Sequence, residues 1–283
     1  MFSVLMENPR GQILMANRIS ILMYHQVGEF APMREHRANY CDHRRFAGQM
    51  AFLKGFGYQV LDLDQVLACV RGGQSIPPRA VALTFDDGYT NFVSHALPVL
   101  RHHGFPATVY AVSGRIGGQA QWFAEDSGRS VPALMGAAQL RAIQAAGITV
   151  GSHTVSHLKL AEAPPERQRR ELTDSKACLE GMLGKEIKHL CYPYGSFDPD
   201  TIRAAAAAGY LSATTCLRGP ALPGDHPLVL PRKAISFGDS LIGYFWKLVV
   251  KNKPKPQLVE WRRASTQNFI AQSEVRAGRQ HGG

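Results

Sequence analysis

Short apolar runs rich in β-branched residues alternate with longer helical patterns along most of this chain, and that alternation constrains the fold more than any other feature. The strand-like runs are 19–24, 80–85, 107–112, 148–152, 189–193, 211–215 and a short one over 228–236. Helical patterns occupy 43–56, 62–71, 91–104, 137–147, 164–183 and 198–208. Asp198 and Pro199 form a helix start and Gly209 a stop, and Gly104 and Gly147 follow helical stretches in the same way. Strands separated by helices pair in parallel through crossover connections. Seven or so units over about 220 residues fit a closed α/β barrel better than an open sheet. In either case the working residues belong at the C-terminal ends of the strands.

Composition narrows the class further. Of 283 residues 45% are apolar and 19% charged, which is enough to bury a core and excludes a disordered chain. The net charge of +10 favours an acidic partner, such as a phospholipid surface, nucleic acid, an anionic glycan or a lipid-linked sugar. No nucleic-acid motif or aromatic–basic ladder accompanies that charge, so nucleic acid is not an expected partner. Five scattered cysteines (41, 69, 178, 191 and 216) without a CxxC pair argue against a disulfide framework and for a reducing compartment. No run reaches the ~20 apolar residues of a membrane span. Residues Glu7, Asn8 and Pro9 interrupt any secretory h-region, so a cytoplasmic location is expected.

The expected organisation is an N-terminal extension (1–17), a barrel (18–240), a C-terminal helical segment (241–264) and a flexible polar tail (265–283). Within the third part, LIGYFWKLVV (241–250) is followed by Lys251, Lys253 and Lys255. It reads as a last helix covering the barrel. The alternative is a segment lying on the cytoplasmic face of the inner membrane. Nothing in the chain indicates an oligomeric state.

Three strand ends carry the chemistry. AVALTF runs into Asp86-Asp87-Gly88, and adjacent residues there point in different directions, so the two acids can take different tasks. ITVGS runs into His153 and His157, whose i, i+4 spacing puts two imidazoles on one side of a helical turn. Two histidines and one aspartate supply three ligands and leave a metal position open for water or substrate. Cys191-Tyr192-Pro193-Tyr194-Gly195 forms a tight turn whose Tyr194 N–H is suited to an oxyanion. Arg232 follows another short strand and is placed to pair with a carboxylate. Singly, these are also a turn cap, satisfied histidines, an aromatic turn and a surface arginine. Together, in this order, they are far more specific.

The set resembles the NodB-type polysaccharide deacetylases, carbohydrate esterase family four, whose motifs TFDDG, HS/TxxH and RxPYG stand here as Thr84–Gly88, His153–His157 and Cys191–Gly195. The resemblance runs from about 19 to 240. It implies an α/β fold, a distorted (β/α)7 barrel, and metal-dependent removal of acetyl groups from sugars. It implies Asp86 as general base, Asp87, His153 and His157 as metal ligands, and Tyr194 N–H as oxyanion donor. Two departures stand out. Cys191 replaces the motif arginine, and the usual C-terminal Leu-x-x-His is missing, since only His281 follows Arg232. Both are similar to the poly-N-acetylglucosamine deacetylase branch, which implies that His25, after Ile21–Tyr24, is the acid and that Arg232 orients the base.

Zn²⁺ is the expected ion, with Co²⁺ or Ni²⁺ as substitutes. The expected substrate is an N-acetylhexosamine in a polysaccharide or lipid-linked glycan. A non-haem Fe(II) oxygenase also uses two histidines and a carboxylate, but it leaves the second aspartate without a task. A catalytically silent glycan- or membrane-binding protein on the same scaffold is the other alternative, and the presence of Asp86 speaks against it.

Overall fold

A computed structural model describes residues 17–123 and 131–263. Nearly all of the expected extension and the whole of the expected tail lie outside the described residues. The strands are β1 (Ser20–Tyr24), β2 (Gln26–Gly28), β3 (Tyr40–Asp42), β4 (Gln59–Leu61), β5 (Ala80–Phe85), β6 (Thr108–Ala111), β7 (Thr149–Ser152), β8 (His189–Cys191), β9 (Ser212–Arg218) and β10 (Leu230–Ala234). The α-helices are α1 (His43–Gly55), α2 (Leu63–Val70), α3 (Leu97–His103), α4 (Ala137–Ala145), α5 (Pro165–Leu183), α6 (Pro199–Ala207) and α7 (Leu241–Val249).

Seven parallel strands close into a barrel in the order β1-β10-β9-β8-β7-β6-β5, sealed by β1 against β5 from Ser20↔Val81 to Tyr24↔Phe85. One edge of β5 is shared. β4 pairs with its first half and β6 with its second. This is the (β/α)7 architecture expected above.

Side-chain parity shows why the barrel works. On β5, Val81, Leu83 and Phe85 join the main core beneath the helices, whereas Ala80 and Ala82 belong to a second cluster with Ile21, Tyr110, Cys191 and Leu230. Thr84 and Asp86 share the parity of the alanines and so continue their face. Small side chains along that face leave room for a large one, and Arg232 fills it, 1% exposed.

Several local signals act as the residue types dictate. Asp198 accepts the Thr201 N–H at 2.7 Å to start α6, and Gly209 turns the chain out at φ 82°. The expected helix over 91–104 is instead a five-residue π-helical turn (Phe92–Ala96) leading into α3. Strands β2, β3 and β4 have three residues each, too few to show a period in the sequence.

Candidate active site

Asp86 follows directly on β5, and its N–H donates to Tyr24 O at 2.9 Å, so the strand pairing itself fixes the carboxylate. Both oxygens are clamped by Arg232, Nη1 to Oδ1 at 2.6 Å and Nη2 to Oδ2 at 2.7 Å. The guanidinium is held in turn by Thr84 Oγ1 at 3.1 Å and by the Thr215 carbonyl at 3.0 Å. A register slip helps to aim it. Leu230 pairs with Thr214 but Arg232 with Arg218, the signature of a bulge between β9 and β10. Burial by itself pushes the Asp86 carboxyl up, but Arg232 overrides this and holds it below the ordinary carboxylate range. Cys191, standing where the motif arginine is missing, places its Sγ 3.1 Å from Arg232 Nη2 and 3.6 Å from Asp86 Oδ2.

Asp87 turns the other way. Its backbone is left-handed at φ 73°, and Gly88 follows at 76°. Oδ1 lies 3.3 Å from His153 Nε2 and 3.2 Å from His157 Nε2. The two histidines sit in a loop after β7, which corrects the helical turn expected from their spacing. Thr154 and His157 have φ of 66° and 60°, incompatible with a helix. The loop is held by Glu171 of α5, whose Oε2 accepts the N–H groups of Val155 (2.9 Å) and Ser156 (2.8 Å). Four of the six left-handed non-glycine residues described, Asp87, Thr154, His157 and Tyr194, belong to this site, so backbone strain is concentrated there.

The donor set suits a cation. His153 Nδ1–H donates to the Cys191 carbonyl at 2.7 Å, which fixes the ring with Nε2 toward Asp87. Asp87 Oδ1 is buried and has no hydrogen-bond partner among the described residues. Burial pushes the Asp87 carboxyl up, yet the two imidazoles pull it well below its usual range. A carboxylate and two imidazole nitrogens, all within 4.8 Å of one another, form a set of three ligands able to hold a metal ion. Asp86, His153 and Cys191 make a second such grouping, but Arg232 already occupies two of its members.

His25 stands between β1 and β2 with Nε2 3.8 Å from Asp86 Oδ2, beside the base. Its Nδ1 has no partner among the described residues. In the third motif the turn is closed by the N–H groups of Gly195 and Ser196, not by that of Tyr194. A Cβ on Gly195 would come within 2.6 Å of Cys216 Cβ, so only glycine fits there. The Tyr194 ring is 52% exposed and meets His157 edge to face at 4.7 Å, while Trp122 stacks on His157 at 4.1 Å. From His157 and Tyr194 a groove of about 480 Å³ runs outward past Lys159, Glu162 and Arg167.

Six of the seven residues singled out in the sequence therefore meet at the strand C-termini, whereas Arg232 lies within β10 rather than after a strand and clamps Asp86 from the barrel interior. Glu171 and Trp122 were not among them. A buried glutamate on α5 and an aromatic outside any motif carry no signal in a single sequence.

The model of the family described as polysaccharide deacetylase matches residues 73–213, spanning the two aspartates, the histidine pair and the tyrosine turn. The chain carries a polysaccharide deacetylase domain. It is 28% identical over 223 residues to YxkH of Bacillus subtilis, covering 79% of this chain and 73% of that one. It is 22% identical over 249 residues to the poly-beta-1,6-N-acetyl-D-glucosamine N-deacetylase of Staphylococcus aureus, covering 81% and 83%. The structure of the Streptococcus pyogenes deacetylase PplD, solved with acetate, superposes with a TM-score of 0.69 at 27% identity over 82% of this chain and 98% of that one. IcaB from Ammonifex degensii gives 0.70 at 23% identity with the same coverage, and shows the shared fold. A polysaccharide deacetylase domain removes the oxygenase alternative.

Proposed function

We propose that the protein is a metal-dependent N-deacetylase acting on an N-acetylhexosamine unit of a polysaccharide or lipid-linked glycan, with Zn²⁺ as its ion. The observation that carries this reading is the division of labour between neighbours. Asp86 is clamped by Arg232, while Asp87 faces two imidazoles with an unpartnered oxygen.

Asp87, His153 and His157 would hold the ion, which when bound supplies Lewis acidity to a carbonyl oxygen and makes water more acidic. The chain's own groups account for the proton movements. Asp86, kept ionised by Arg232, takes a proton from the water that attacks the acetyl carbonyl. Arg232 cannot be deprotonated in exchange, so it fixes the carboxylate without competing for that proton. The Tyr194 N–H donates to the oxyanion of the tetrahedral intermediate. His25 gives a proton to the leaving nitrogen, the carbon–nitrogen bond breaks, and acetate and a free amine result. The exposed Tyr194 ring and the groove beyond it suit flanking sugars, whose faces stack on aromatic rings.

The test uses N-acetylglucosamine oligomers in β-1,6 and β-1,4 linkage, with released acetate as the readout. Acetate release that disappears on chelation and returns with Zn²⁺ is the expected result. No release from any N-acetylated sugar by the metal-loaded protein would refute the reading and favour a silent glycan-binding role.

A further inference from the structure

We infer that the wall formed by α1 and α7 docks this protein onto an anionic lipid surface. α7 lays Tyr244 and Leu248 into the main core against α1, with the Phe52 and Tyr244 rings edge to face at 6.0 Å. Its opposite side is bare. Ile242 is 81% exposed and Trp246 55%, with Leu241, Phe245 and Val250 exposed beside them. Ile242, Phe245 and Trp246 stand at i, i+3 and i+4 and form one stripe. The stripe continues onto α1, where Phe52 lies 6.3 Å from Phe245 and 4.4 Å from Phe56, itself exposed. Among the described residues, six of the seven exposed large apolar side chains belong to this patch, and the seventh is Tyr194 at the active-site mouth.

Charge selects the occupant. α1 carries Arg44, Arg45 and Lys54 and no acid, and exposed Lys251, Lys253 and Lys255 follow α7. Residues 240–255 contain no Asp or Glu, and the nearby Asp239 is taken by Lys247. A second copy of the chain would set one basic rim against another. A bilayer with anionic headgroups satisfies both features, since acyl chains accept the aromatic stripe and headgroups accept the cations. This inference does not depend on which sugar is deacetylated.

The experiment uses the full-length protein with unilamellar vesicles of phosphatidylcholine alone or with one quarter phosphatidylglycerol, read by co-sedimentation and tryptophan emission. Binding to the anionic vesicles alone, weakened by salt and accompanied by a blue shift that Trp246→Phe diminishes, is expected. Replacing Lys251, Lys253 and Lys255 by Gln should weaken partitioning on the order of a hundredfold, roughly fivefold for each charge. The Ile242→Ser/Trp246→Ser variant should weaken it about tenfold or more. Both variants change exposed side chains only, and unchanged circular dichroism and melting temperature would verify that they fold. The inference is overturned if the full chain ignores both kinds of vesicle, or if either variant binds as the parent does. It is equally overturned if the native protein is a dimer that Ile242→Ser/Trp246→Ser dissociates, which would assign the stripe to a second copy.

Discussion

Asp86 receives two charge-assisted hydrogen bonds from Arg232, while Asp87, one residue on, receives none at Oδ1 and faces two imidazoles. Both ions of the Asp86–Arg232 pair are almost wholly buried, at 3% and 1% exposure, so desolvation offsets much of their attraction. Removing one partner strands the other. Arg232→Met is expected to cost about 3–5 kcal/mol in urea unfolding, and the double variant Asp86→Leu/Arg232→Met to recover most of it. A double variant as unstable as the single one would show that Arg232 matters mainly through its contacts with Thr84 and Thr215. His25, 3.8 Å from the same carboxylate, is tested through turnover. His25→Ala should lower kcat by about 10²- to 10⁴-fold with bound metal unchanged, measured by acetate release and metal analysis on the same sample. Turnover near that of the parent would remove His25 from the reaction.

Elements aim these residues, and here the sequence was legible in part. Seven barrel strands and six helices follow from alternation and end signals, because a parallel strand buried on both faces is a continuous apolar run, as AVALTF is. The register slip that aims Arg232 was not legible, since it depends on how β9 and β10 pair and not on either alone. The left-handed loop under His153 and His157 was hidden for a similar reason. Its shape depends on Glu171, fourteen residues past His157. Glu171→Ala should leave two N–H groups unsatisfied, cost about 1–3 kcal/mol, and weaken metal binding by about 10- to 100-fold, read by calorimetry. At the other end of β8, burial pulls His189 down to about 4 from its ordinary 6.5, against the attraction of Asp64 3.4 Å away. The unfolded chain therefore binds more protons between those values, so this contribution is complete above about pH 6.5 and is lost as pH falls through about 4. His189→Gln should flatten the stability profile across that window, by about 3 kcal/mol at most. An unchanged profile would place the acid sensitivity elsewhere.

At the scale of the whole molecule, the barrel collects every motif at one end and leaves its apolar stripe on one wall. No helix among the described residues is long and apolar enough to cross a membrane, and all five cysteines are free thiols. A cytoplasmic placement is the proposal consistent with those thiols, and cell fractionation that finds the protein outside the cytoplasm or its membrane face would oppose it. The central claim is that adjacent aspartates divide proton transfer from metal binding, and one paired measurement tests it most directly. Asp86→Asn and Asp87→Asn are loaded with Zn²⁺, and metal content and acetate release are determined on each. Asp86→Asn should retain one ion per chain and lose about 10²- to 10⁴-fold in turnover, whereas Asp87→Asn should lose the ion first. Full metal in Asp87→Asn together with loss of metal in Asp86→Asn would contradict the assignment.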